Sequence, residues 1–161
     1  MRIWLLSFCC LIVFSAGSVF AQQPMRFSVD PAPLVIKTST GKVSYDVEIA
    51  KTPEQSEAGL MYRTDFPKNR AMLFIFAQQR IITMWMANTP LPLDMVFLDE
   101  KGVIVSIALN TTPYSTKIVS SHVPAAFTIE LNAGDVQKHK IEIGQKVIHP
   151  VICGECKVDE R

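Results

Sequence analysis

The sequence predicts a mainly β fold: a single-domain β-sandwich or barrel carrying one short α-helix. Three observations predict it. Apolar residues recur in short stretches that either alternate with polar ones or run unbroken for about six positions. Turn-forming residues separate these stretches at short intervals. Only one stretch opens with strong helix-start chemistry, so strands and helices do not alternate as a parallel α/β fold requires. At 161 residues the chain has room for one domain and little more.

The elements follow in order. Residues 22–33 hold three prolines and little periodicity, and read as a flexible arm leading into a domain over 34–152. Leu34–Ile36 is a short strand. In 43–50, Val43, Tyr45, Val47 and Ile49 alternate with Ser44, Asp46 and Glu48, the period of a half-buried strand. Thr52-Pro53-Glu54-Gln55 then offers an N-cap, a proline at the first helical position and a capping-box glutamine. The helix is expected from Pro53 to about Tyr62, with Gly59 inside it against a close neighbour.

Ala71–Phe76 reads as a strand buried on both faces and Ile81–Met86 as another. Leu93–Leu98 and Val103–Leu109 pair as a hairpin around Asp99-Glu100-Lys101-Gly102, with Gly102 closing the turn. Ala125–Leu131 is a strand, Asp135–His139 a single helical turn, and Lys146–Ile152 a last strand.

Residues 1–21 have another purpose. Arg2 precedes an apolar run from Ile3 to Phe14, and Val19-Phe20-Ala21 places small residues where a signal peptidase cuts. The run is too short to span a bilayer, which takes roughly 20 residues. The expected product is periplasmic or secreted, cut near Ala21/Gln22, and not inserted in a membrane. Sixteen Lys and Arg stand against fifteen Asp and Glu, and cleavage removes Arg2 and no acid. A neutral mature chain gives no reason to expect a nucleic-acid partner. An unidentified small molecule or exported protein is the expected partner, and the chain reads as a monomer.

Four blocks carry a family resemblance: GLMYR (59–63), AMLFIF (71–76), MWMANTPLPLDMVFLDEKG (84–102) and TIELNAG (128–134). In order and spacing they resemble the domain of unknown function 192 family, small bacterial and archaeal domains that often carry an export signal. The resemblance implies a compact, mostly β, sandwich-like fold with a short helix, and no established activity. Ala71 stands where that family usually has glycine, and Ala87 where it usually has lysine or arginine.

Candidate chemistry centres on 85–94. Trp85 is the only tryptophan after residue 21, and Asn88-Thr89-Pro90-Leu91-Pro92 is a stiff connector. Asp94 interrupts a strongly apolar strand. One reading makes Trp85 the wall of a ligand pocket, with Arg63, Asn88 and Asp94 as polar contacts. The other is structural: Asn88 holds the loop, and Asp94 pairs with Arg63 or accepts backbone N–H groups.

Two further groups offer metal chemistry. Met84 and Met86 share one strand face and carry thioethers able to hold copper(I), although methionine also fills cores. His149, Cys153 and Cys156 form a partial zinc-type set lacking a fourth ligand. In an exported protein, the C-x-x-C of the 153–161 tail reads first as a small disulfide, Cys153–Cys156. No nucleophile elbow, zincin helix or phosphate-binding glycine loop is present. The sequence therefore reads as a non-catalytic binding or accessory module with no expected cofactor. Copper or zinc handling is the alternative, and an enzyme of unknown class the third.

Overall fold

The computed structural model describes residues 22–154; the signal-like segment and the tail from Glu155, with Cys156, lie outside them. The elements are β1 (Leu34–Thr38), β2 (Gly41–Ala50), α1 (Pro53–Ala58), β3 (Arg70–Met84), β4 (Leu93–Leu98), β5 (Ile104–Ala108), β6 (Val119–Asn132), α2 (Asp135–Lys138), β7 (Lys146–Ile148) and α3 (Pro150–Cys153). The strands form one sheet in the order β5-β4-β6-β3-β2-β1-β7. Neighbours are antiparallel except β2 and β3, which run parallel on either side of the α1 crossover.

The sheet curls until its two edges meet. Val103 bridges Lys146, Ile104 N–H donates to the Gln145 carbonyl (2.9 Å), and Val147 N–H donates to the Gly102 carbonyl (2.9 Å). Gly102 is required at this seam. Its φ is +76°, and a Cβ there would lie 2.7 Å from both Ile152 Cγ2 and the Val147 carbonyl oxygen. The outcome is the barrel-like, mainly β fold expected.

Alternation along the strands divides the apolar residues into two cores. Val47, Leu73, Val96 and Ile129 point into the curl, joined by Leu34, Val147 and Val136. Met72, Phe74, Met95 and Phe97 point the other way. That outer face is covered by the segments after α1 and β3, through Leu60, Phe66 and Met86. Each such side chain contributes about 1.5–3 kcal/mol by leaving water.

Several local expectations change. The capping box forms: Gln55 N–H donates to Thr52 Oγ1 (3.2 Å), and Thr52 N–H donates to Gln55 Oε1 (3.2 Å). The helix, however, stops at Ala58. Gly59 (φ +43°) ends it rather than sitting inside it, with the Phe74 ring so near that a Cβ would meet Cζ at 3.2 Å. The strands expected at 71–76 and 81–86 are one strand, β3, because Ala77–Arg80 stays extended as a polar bulge against β6. β6 begins at Val119, well before Ala125. The last strand ends at Ile148, where His149 caps a helical turn with Pro150 at its first position.

The 22–33 arm lies along the sheet. Val29 bridges Glu48, and Asp30 N–H donates to the Val47 carbonyl (2.7 Å). No described helix is long and apolar enough to cross a membrane.

Candidate functional site around Trp85 and Glu130

The structure separates the four candidate contacts. Asp94, 1% exposed, faces into the curl from β4. Its Oδ1 accepts Asn110 N–H (2.8 Å), and its Oδ2 accepts Gly134 N–H (2.9 Å) and Val136 N–H (3.1 Å). Three amides from two distant turns thus converge on one carboxylate, tying the end of β5 and the β6–α2 turn to β4. Both oxygens serve the fold.

Arg63 pairs with Glu48, on the opposite face, rather than with Asp94. Arg63 Nη2 lies 2.6 Å from Glu48 Oε2, and Arg70 Nη1 lies 2.9 Å from Oε1. The Arg63 guanidinium also sits 5.5 Å from the centre of the Phe27 ring and donates to the Met25 carbonyl (3.3 Å). One buried carboxylate therefore joins β2, β3, the segment after α1 and the arm.

Asn88 shapes its loop. It takes a positive φ of 57°, and its carbonyl accepts Tyr62 N–H (2.7 Å). Trp85, 48% exposed, stands beside it with its indole forming the wall between two adjoining cavities. The first, about 370 Å³, lies between α1, β3 and β6 and is lined chiefly by Phe74, Phe76, Met84, Trp85, Ile118 and Glu130. The second opens toward Asn88, Ala87 and the start of the arm, where the Tyr62 hydroxyl donates to Gln22 Oε1 (2.5 Å).

Glu130 is the residue that sequence reasoning missed. It projects from β6 onto the outer face, between its register partners Met72 on β3 and Met95 on β4, and is 4% exposed. Its Oε2 has no hydrogen-bond partner. Burial pushes its carboxyl from the ordinary 4.5 up to about 8, which leaves it protonated at neutral pH. A mainly apolar cavity with a few placed polar groups is the usual form of a small-molecule site. A neutral carboxylic acid there can donate a hydrogen bond or, by losing its proton, supply a charge.

The metal candidates are dispersed. Met84 lines the first cavity, whereas Met86 is in the outer core, its sulfur 3.2 Å from the Thr111 hydroxyl. His149 is fully buried. Its Nδ1 accepts Val151 N–H (3.2 Å), so Nε2 carries the proton that faces the Ala32 carbonyl (3.1 Å). Burial holds this imidazole below the usual histidine range. Cys153 Sγ lies 3.0 Å from the His149 carbonyl oxygen, and Cys156 is outside the described residues. Among the described residues, no three His, Cys, Asp or Glu side chains cluster as metal ligands.

Residues 35–149 match the DUF192 family, described as "Uncharacterized ACR". The chain belongs to that family. A solved structure from Sinorhizobium meliloti 1021, provisionally named a transcription regulator, is 38% identical, with a TM-score of 0.72 over 77% of this chain and 97% of that one. A protein of unknown function from Novosphingobium aromaticivorans DSM 12444 is 27% identical, with a TM-score of 0.72 over 78% of this chain and 94% of its own. No curated protein matches. All four motif blocks fall within the matched DUF192 span, and the third contains Trp85, Asn88 and Asp94.

Proposed function

We propose that this DUF192 protein is an exported, non-catalytic module that binds a small amphipathic molecule in the cavity walled by Trp85 and ended by Glu130. One observation carries the reading: Glu130 offers an unpartnered buried oxygen at the inner end of a mainly apolar recess. A chain that leaves such a group unsatisfied loses about 1–3 kcal/mol, a cost a ligand can recover. Export rests on the three-part pattern of residues 1–21, and an oxidising compartment favours a Cys153–Cys156 disulfide. Within the site Trp85 is the apolar wall and Asn88 shapes its rim, while Asp94 and Arg63 hold the surrounding fold.

Other readings have less support. Copper or zinc handling would have to take His149 from two backbone partners and Met86 from the core. The regulator name of the S. meliloti protein does not carry over to DNA binding, since the net charge is only +1.

The test is uptake of N-phenyl-1-naphthylamine, a neutral apolar fluorophore, by the purified protein. We expect saturable uptake that quenches Trp85, and its loss in Ala58→Trp, which fills the cavity from α1. No uptake, or uptake unchanged in a folded Ala58→Trp variant, overturns the reading.

A further inference from the structure

The cavity is segregated in charge. Its lining includes two carboxyl groups, Glu130 at the inner end and Glu57 at the mouth, and no lysine, arginine or histidine. The adjoining cavity adds Glu54 and again no basic residue. A chain with sixteen basic residues against fifteen acidic ones has no overall bias of this kind, so the segregation is local. The remaining wall is uncharged: three aromatic rings and two thioethers, with Ile118, Ala58, Gly59 and the hydroxyl residues Ser56, Thr83 and Thr89 between them. Ring faces are negative, and an indole is the strongest cation acceptor among them.

We infer that the ligand is a hydrophobic organic cation, an alkylammonium whose charged head meets Glu130 while its chain lies against Trp85 and Phe76. This rests on the cavity reading above and adds the sign of the ligand's charge. An anion would meet two carboxyl groups and no counter-charge. A neutral alcohol could accept one hydrogen bond from Glu130 but would bring no charge to meet the carboxylate or the negative field of the surrounding rings.

Charges packed around Glu130 fit this assignment. Its strand neighbours Met72 and Met95 are neutral. On β3, Arg80 stacks on Phe76 (5.3 Å) and Arg70 is bound to Glu48. Glu48, on the same face of β2, is bound by Arg63 and Arg70, and α1 contributes Glu57. No free cation among these groups already neutralises Glu130. Entry of an ammonium therefore ionises the carboxyl, and the proton leaves to solvent as the cation takes its place.

Three probes of one chain length separate the possibilities by calorimetry: octyltrimethylammonium, octanol and octanoate. The cation is expected to bind at least tenfold more tightly than octanol, with octanoate weakest. At pH 7, titration in buffers of different ionisation enthalpy should report release of close to one proton per cation. Glu130→Gln should reduce the cation to the affinity of octanol and leave octanol unchanged. Glu57→Gln, an exposed change that spares the fold, should weaken the cation about two- to threefold. Equal binding of cation and alcohol, or preference for octanoate, overturns the charge assignment while the cavity reading stands. Failure of all three probes to bind overturns both.

Discussion

Asp94 and Glu130 lie on adjacent strands, are almost equally buried, and stand in opposite relation to their surroundings. Asp94 faces the inside of the curl, where three backbone amides converge on it. Glu130 faces the outer core, where Oε2 meets no donor. Burial is thus the same in degree and different in consequence. A carboxylate that supplies the acceptors for orphan amides is part of the scaffold. A carboxyl that leaves its own oxygen unused is a cost to the scaffold, retained at the wall of a cavity.

The sharpest way to break this contrast is Asp94→Ala. It strands three amides, and we expect a loss of about 3–5 kcal/mol in urea unfolding. Destabilisation below about 1 kcal/mol would show that water replaces the carboxylate easily and would remove the contrast. Glu48→Gln should follow at about 2–3 kcal/mol, since two guanidiniums would keep only a neutral partner. The same variant should increase proteolysis within residues 22–33, because Arg63, which holds the Met25 carbonyl, pairs with Glu48 and Val29 bridges to it.

Glu130→Met should act in the opposite direction, raising stability by about 1–2 kcal/mol at pH 7. Its pH dependence follows from linkage. The folded-state pKa is raised from 4.5 to about 8, so the native state binds the extra proton between those values. Wild-type stability should be fully present below about pH 4.5, decline as pH rises, and level off above about 8. Removal of the carboxyl should flatten this decline, and chemical denaturation from pH 4 to 9 would reveal it. An unchanged slope would mean that Glu130 ionises freely when buried. The smallest effect is expected from Thr52→Ala, which removes a solvent-exposed cap for about 0.5–1 kcal/mol. Because α1 forms the cavity mouth, that variant should also loosen probe binding slightly.

The two acids also differ in how plainly the sequence announces them. Asp94 interrupts a continuous apolar strand, and an acid in that setting must be satisfied. Acceptance of backbone N–H groups was legible there, whereas pairing with Arg63 was not what the fold supplies. Glu130 sits in Thr128-Ile129-Glu130-Leu131, where strict alternation reads as one dry face and one wet face. The second face is dry as well, because the segment after α1 (Leu60, Phe66) and the segment from Met84 to Leu91 cover it, and local periodicity carries no trace of distant cover. The helix start at Thr52 was legible because capping is local chemistry. Its end at Gly59 was not, since the Phe74 ring that crowds it comes from another strand. Similarly, Ala77–Arg80 resembles a loop by polarity. The long antiparallel partner β6 keeps it extended.

The seam beside Gly102 sets how the barrel yields. β3 and β6 are joined over most of their length, whereas β5 and β7 meet at one bridge and a few flanking hydrogen bonds. Thermal opening of a closed sheet begins where the fewest bonds must break together. The molecule should therefore unclasp at this join before any strand peels from the centre. Amide protons of Ile104, Gly144 and Val147 would exchange with solvent earliest among those bonded between strands, and those of Leu73 and Ile129 last. Glu130, on β6 between β3 and β4, belongs to the slow half, so the barrel can breathe at its clasp without disturbing the inner end of the cavity.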